Sequence, residues 1–408
     1  MLNIIGVIFS FILVVYLLYR KVNLGLSMLI GSFTIGIMGN GQFMKRLINI
    51  IRTFINGLTE PVTIELVLLV SFVSILAYTM EKTGMIKKLI KSIQNLVSSL
   101  RLNLLIIPSL IGVLPIPGGA VFSAPIIKPI GKDLKMSRDR LVSINLFYRH
   151  LWYFVFPYFP SLIVASSLSG ISIASIAKLH LPIVLIMLLV GKLYFFRGVK
   201  EPEIETGNNI SFYEKIKEFL YAFSPLLIIV GLPIFLPVNF LFSLVIGLIY
   251  VIIINKNKFK MNMIIKGFNI QLAFGVFGIM IFRTFLENSE GIYIITNGLI
   301  ESGMSPIFLA IGIPFLTGMI TGNQTGAIGI SYPLLIPIIS QMNEFYYWHI
   351  ILYSASFFGY YLSPFHLCNI LTLEYYKSNI MKMYKEMYIP ISASILGIVF
   401  LIIFYFNL

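Results

Sequence analysis

Across 408 residues, 58% hydrophobic side chains, 11% charged ones and a mean hydropathy of +0.93 exclude a soluble domain, which cannot hide that much apolar surface. The formal net charge of +14 invites a nucleic-acid binder, but the basic residues lie in short loops between apolar runs, which excludes that reading too. A single cysteine, Cys368, rules out an intrachain disulfide.

Apolar runs recur along the chain, each long enough for a helix to cover a hydrocarbon core of ~30 Å. In chain order they cover residues 2–19, 22–39, 61–80, 141–169, 173–196, 219–236, 238–254, 267–286, 346–372 and 387–406. An all-α polytopic membrane protein of about ten spans is therefore expected. The first run has no basic stretch before it and no small-residue cleavage pattern after it, so it reads as a retained helix rather than a signal peptide. With both termini outside, Lys45, Arg46, Arg52, Lys178 and Arg283 face outward, Arg149 falls inside a span, and every other Lys and Arg is cytoplasmic. That asymmetry is the positive-inside signature, and it sets the expected orientation in a cell membrane. Residues 41–60 hold three of the outer basic residues and read equally as an interfacial amphipathic helix.

The chain also repeats itself. Leu110-Ile-Gly112 through Gly119-Ala120 matches Leu316-Thr-Gly318 through Gly326-Ala327, and Ser123-Ala-Pro125 through Pro129 matches Ser331-Tyr-Pro333 through Pro337, always 206 to 208 residues apart. The register extends back to Glu81 and Gly84 against Glu287 and Gly291, and forward to Phe156-Pro157 against Ser363-Pro364. This divides the chain into a first repeat, 1–200, a cytoplasmic linker, 201–218, and a second repeat, 219–408. Five spans in each half is an odd number, so the second copy must be inverted relative to the first. Inverted repeats around interrupted helices are the usual ground plan of secondary transporters, with binding near mid-membrane.

Two apolar segments are too broken by Gly and Pro to be simple spans, residues 104–130 and 305–340. Each reads as a re-entrant hairpin, two limbs of about ten residues reaching ~15 Å to a glycine-rich tip. Irregular backbone at that depth must line a cavity or be buried in protein, which makes the tips candidate sites. The stretch from Met85 to Arg101 before the first hairpin is basic, whereas that from Ile292 to Gly303 before the second has no Lys or Arg. An inverted pair entering from opposite faces predicts this contrast.

Three stretches carry a family resemblance: Lys21-Val-Asn-Leu-Gly-Leu; Leu114-Pro115-Ile-Pro117-Gly118-Gly119-Ala120 with Phe122-Ser123-Ala-Pro125; and Asn145 through Arg149-His150-Leu-Trp152 to Pro157 and Pro160. Over nearly its whole length the chain resembles a ten-span prokaryotic membrane family of unknown function, domain of unknown function 401. That family stands within the ion-transporter superfamily of citrate, gluconate and divalent-anion symporters. The resemblance implies two inverted five-helix repeats, hairpin tips that touch substrate and ions, and transport of small, often carboxylate-bearing solutes. The chain departs from the divalent-anion branch in lacking its Ser-Asn-Thr tip, and it has Tyr153 where the nearer family often has an acid.

The residues themselves point the same way. Pro115, Pro117, Gly118 and Gly119 cannot continue a helix cheaply, so a half-helix restarts near Ala120 with unpaired N–H groups and a positive dipole end suited to an anion. Ser123 follows on that half-helix. At the second tip Thr321, Asn323, Gln324 and Thr325 supply donors and acceptors around Gly322 and Gly326. The plainer alternative is that these glycines serve close packing and the polar groups cap a turn. Two spans are broken at Phe156-Pro157 to Ser161 and at Ser363-Pro364-Phe-His366-Leu-Cys-Asn369. The carbonyls freed there either hold a cation or are satisfied by neighbours, and Ser363, His366 and Asn369 are candidates on that ground. His150 and His366 are candidate proton carriers, with an ordinary buried hydrogen bond as the alternative. Glu65, the one carboxylate well inside a span, is the proton-coupling candidate and the expected partner of Arg149. Arg149 pairs either with that acid or with a substrate carboxylate.

Enzyme chemistry has no support. Asp133 and Asp139 share one loop, the four histidines lack metal-ligand spacing, and no Walker-type glycine loop occurs. No cofactor or metal is expected. The expected function is a secondary transporter of a small solute, an organic or inorganic anion driven by H⁺ or Na⁺. The alternative is an ion channel or a non-transporting membrane scaffold. Its expected partners are the solute or ion and the bilayer, with a homodimer open.

Overall fold

Helix starts are written into the chain as polar residues placed ahead of apolar runs. The computed structural model describes residues 2–39, 42–113, 120–202, 211–236, 238–289 and 305–406, with positions 291, 294 and 298. Its elements are helices, with no strand among the described residues. In the first half α1 (Leu2–Tyr19) leads to α2 (Leu24–Ile37), whose cap Asn23 accepts from the Leu26 amide. Next come α3 (Phe43–Thr59), α4 (Pro61–Lys82) and α5 (Met85–Leu96). The pair α6 (Leu100–Gly112) and α7 (Ala120–Asp133) is followed by α8 (Arg138–Arg149), capped by Ser137. A short 3₁₀ turn at Leu151–Phe154 then separates α8 from α9 (Pro160–Ser169), and α10 (Ile173–Phe195) closes the half.

The second half opens with α11 (Phe212–Phe235), begun by a capping box in which Ser211 and Glu214 exchange bonds with each other's backbone. After it come α12 (Phe240–Ile254), the single-turn α13 (Asn262–Gly267), α14 (Ile270–Glu287), α15 (Pro306–Thr321) and α16 (Gln324–Ile339). The chain ends with α17 (Phe345–Leu362), α18 (Leu367–Tyr376) and α19 (Ile380–Phe406). Among the described residues five helices, α4, α10, α11, α14 and α19, are long and apolar enough to cross a membrane.

The structure refines several boundaries. The breaks expected within residues 141–169 and 346–372 are present, where Pro157, Pro160 and Pro364 withhold amides from the ladder. Helix α11 begins at Phe212, within the residues read as linker, since Lys215, Lys217 and Glu218 lower the hydropathy of its first turns without preventing helix. Residues 43–59 are helical, and α3 exposes Met44, Leu47, Ile48, Ile51, Ile55 and Leu58 along one face while Arg46 Nη1 caps the Ile37 carbonyl at 2.9 Å. The segment is thus an amphipathic helix rather than a loop. The hairpin limbs exceed the expected ten residues: α15 and α16 have 16 each.

Packing is reciprocal. Helix α2 lies on α14, and α12 lies on α4; α9 lies on α16, and α18 lies on α7. Close approach needs small residues: a β-carbon on Gly25 would meet the Phe274 carbonyl oxygen at 2.3 Å, and one on Gly359 would meet that of Phe315 at 2.1 Å. The second contact locks α15 against α17 and so fixes the hairpin beside the break after Leu362.

Candidate functional site

A cavity of about 400 Å³ opens where the second hairpin tip meets the two helix breaks. Five helices begin at its wall. Their caps are Asn23 for α2, Phe159 for α9, Asn269 for α14, Asn323 for α16 and His366 for α18, and all five residues line it. Each helix start presents amides without an intrahelical partner and a positive dipole end, although Asn23, Asn269 and Asn323 each take one amide and Pro160 removes a donor. No Asp, Glu, Lys or Arg is among the described lining residues. A second hollow of about 300 Å³ shares Leu24, Asn323 and Leu367 with the first and has Lys21 on its wall.

The tip residues divide between turn and cavity. Asn323 Oδ1 accepts from the Gly326 amide at 3.2 Å, and Thr321 Oγ1 accepts from the Asn323 amide at 3.3 Å, so both cap the turn as well as face solvent. Gln324 differs. It is 2% exposed, lines the cavity, and holds neither amide oxygen nor nitrogen in a hydrogen bond, approaching the Tyr353 hydroxyl without bonding geometry. Thr325 lines the wall beside it. Pro117, Gly118 and Gly119 lie outside the described residues.

The breaks are largely self-satisfied. Asn369 Nδ2 donates to the carbonyls of Tyr361 at 2.9 Å and Ser363 at 3.2 Å, and Ser363 Oγ donates to Met319 O at 2.6 Å. The freed carbonyls thus have protein partners. Ser123 donates to Asn145 Oδ1 at 2.5 Å and ties α7 to α8; with Ser363 and Asn369 it stays off the cavity wall.

His150 and His366 come together, ring centroids 4.8 Å apart, with the Tyr360 ring tilted against His366 at 4.1 Å and its hydroxyl 3.1 Å from that of Tyr153. His366, Tyr360, Tyr153 and Cys368 line the cavity, and His150 stands behind them. The other two histidines, His180 and His349, stack 5.7 Å apart against Tyr353, whose hydroxyl donates to the Tyr153 carbonyl at 2.5 Å.

Arg149 is 1% exposed, and its Nη1 donates to the Ile111 carbonyl at 2.9 Å. It lies behind the wall, within electrostatic reach of His366 and Cys368, rather than on it. The expected pair with Glu65 does not form. Glu65 sits in the first turns of α4 with an exposed side chain, apart from the cavity, while the described ion pairs use Glu60, Glu81, Glu201 and Glu287. Hydropathy located Glu65 along a span without saying which way it faces.

Asn23, Asn269, Gln271, Ser161, Tyr360 and Cys368 were not singled out from sequence. Asn23 lies inside the Lys21-Val-Asn-Leu-Gly-Leu stretch, and both asparagines have the capping position ahead of an apolar run as their signal. Cys368 has none beyond its spacing from His366.

Fold and site define a membrane protein, all-helical among the described residues, with an open cavity at which five helices begin. The chain belongs to the family described as "Protein of unknown function (DUF401)", whose model matches residues 2–404. No curated protein matches it.

Proposed function

We propose that this protein is a secondary carrier of a small anion, working by alternating access between two inverted repeats. The observation that carries the reading is the convergence of five helix N-termini on one uncharged cavity. Such ends attract negative charge, and with no ionised side chain on the described wall nothing there competes for it. A volume of about 400 Å³ suits a small organic acid or an inorganic anion. Gln324, buried with its amide unbonded, provides the polar group whose partner arrives with the solute.

The repeat reading draws support from element positions. Helices α6, α8, α9 and α10 begin at Leu100, Arg138, Pro160 and Ile173; α15, α17, α18 and α19 begin at Pro306, Phe345, Leu367 and Ile380, 206 or 207 residues later. Exchanged packing, α2 on α14 against α12 on α4, is what a pseudo-two-fold axis generates. On this reading α6–α7 and α15–α16 are the re-entrant hairpins, and the broken helices α8–α9 and α17–α18 cross beside them.

The test is a thermal-shift screen of purified protein against carboxylates, amino acids and inorganic anions, with and without Na⁺, followed by uptake into proteoliposomes. A ligand of the folded state raises the melting temperature by mass action. Saturable uptake of an anion that also gives a shift supports the carrier. Unitary currents under voltage clamp would make it a channel, and absence of any anion shift together with absence of flux would leave a scaffold.

A further inference from the structure

Three metal-ligating side chains from distant parts of the chain meet at the back of the cavity. His150 caps the C-terminus of α8, while His366 and Cys368 stand at the start of α18; their ligand atoms all lie within 4.8 Å of one another. All three are buried. His150 Nδ1 is 2.6 Å from the Leu146 carbonyl, so Nδ1 carries the proton and Nε2 keeps a lone pair, with the Tyr360 hydroxyl at 3.5 Å and the Cys368 thiol close to the ring. A bond of that kind fixes the tautomer and direction of metal-bound imidazoles. His366 is 1% exposed, with neither ring nitrogen in hydrogen-bond geometry, its approach to the Tyr361 carbonyl included. Burying an imidazole in this way costs free energy that a bound ligand recovers.

We infer that His150, His366 and Cys368 form a binding site for a divalent cation of the zinc class, with an open coordination position on the cavity. Two imidazoles and a thiolate suit Zn²⁺ or Co²⁺, whereas Mg²⁺ and Ca²⁺ take oxygen ligands. Ligand bonds of ~2.0–2.3 Å require the three atoms to draw together modestly, and His366 and Cys368 stand at a helix start beside a break, where such a shift is easiest. On binding, the Cys368 thiol releases its proton to solvent and the sulfur lone pair forms the metal bond. Because His366 and Cys368 line the cavity, the ion has an entry path and the fourth position faces the same space. The double positive charge of the ion exceeds the single thiolate charge. An anion in the open position offsets that excess. This last step rests on the anion reading above; metal binding itself does not.

The test is Co²⁺ titration of the purified full-length protein, read by absorption. One equivalent should produce the visible bands of tetrahedral cobalt with a near-ultraviolet thiolate charge-transfer band, which Cys368→Ser removes. A second readout uses the unaltered chain. Cys368 is its only cysteine, so Zn²⁺ at ~10 times its dissociation constant should slow reaction with a small methanethiosulfonate about tenfold. A charge-transfer band or Zn²⁺ protection supports the site; absence of both at saturating metal overturns it. Acetate shifting the visible cobalt bands supports the open position, and bands unchanged by acetate overturn that position while leaving the metal site standing.

Discussion

Gly322 is seated against the backbone of Phe365: a β-carbon added there would lie 2.7 Å from the Phe365 carbonyl carbon and 3.0 Å from the His366 nitrogen. Its φ of +60° is left-handed as well. One residue thus joins the hairpin tip to the break that begins α18. Gly322→Ala should cost about 1–3 kcal/mol from strain and overpacking and should push His366 from the cavity wall. A melting temperature equal to that of the unaltered chain in the same detergent would contradict this.

Gln324 separates stability from function. Its amide is buried and unbonded, so Gln324→Leu should leave the melting temperature unchanged or raise it, since an unpaired polar group of this kind costs about 1–3 kcal/mol. The same change should abolish anion-dependent thermal shifts. Loss of stability in the leucine variant, with ligand shifts retained, would return Gln324 to a packing role.

Much of this architecture was legible because prolines and glycines interrupt hydropathy where the helices break, as at Pro157, Pro160, Pro364 and Gly322. Direction was not legible. Glu65 and Arg149 both fall inside apolar runs, yet one is exposed and the other is 1% exposed. Nor could spacing reveal that His150 meets His366 and Cys368, since the two breaks are brought together only by tertiary packing. The five converging helix starts were half visible: Asn323 was read as a tip residue, but Asn23 and Asn269 are caps whose common target exists only in the folded bundle.

The proposed inversion of the two halves predicts that the loop after α12 and the loop between α16 and α17 lie on opposite faces of the membrane. Lys256 and Asn343 are both exposed there. Cysteines introduced at these positions should react with a membrane-impermeant maleimide from opposite sides, the one at Lys256 from the cytoplasm. Cys368, 4% exposed, contributes little background. Labelling of both from one side would dismiss the inverted arrangement.

Glu201 binds the segment after α10 to the start of α6. It accepts from the Ser99 hydroxyl and the Arg101 amide, both at 2.7 Å, with Arg101 Nε at 3.3 Å. Burial alone would push the carboxyl up, but the Arg101 amide, the Ser99 hydroxyl and the Arg101 guanidinium together outweigh it and hold the group below the usual carboxylate range. A depressed folded-state value means that the contribution is full above the unfolded value of ~4.3 and disappears as pH falls through the folded one. The difference in melting temperature between the unaltered chain and Glu201→Gln should therefore be positive at pH 7 and shrink at pH 3. A difference independent of pH would contradict the assignment.

Arg149 decides whether the charge behind the cavity wall is structural or acts on the solute. Its guanidinium donates to the Ile111 carbonyl, and the backbone there is tight: a β-carbon on Gly112 would meet the Arg149 carbonyl oxygen at 2.1 Å. Arg149→Met leaves the Ile111 carbonyl without that donor and removes the cation facing Cys368, so it should cost about 1–3 kcal/mol and lose anion binding together. Arg149→Lys keeps a charge but not the planar fork, and should fold and insert while binding the anion about tenfold or more weakly. Glu65→Gln should change neither property, and should not rescue Arg149→Met, because its exposed carboxylate lies apart from the cavity. Melting temperature and anion-induced shift, measured on all four proteins, separate the outcomes. Rescue of Arg149→Met by Glu65→Gln would restore the salt bridge as the role of Arg149, and unaltered binding by the lysine variant would remove the guanidinium from any part in anion recognition.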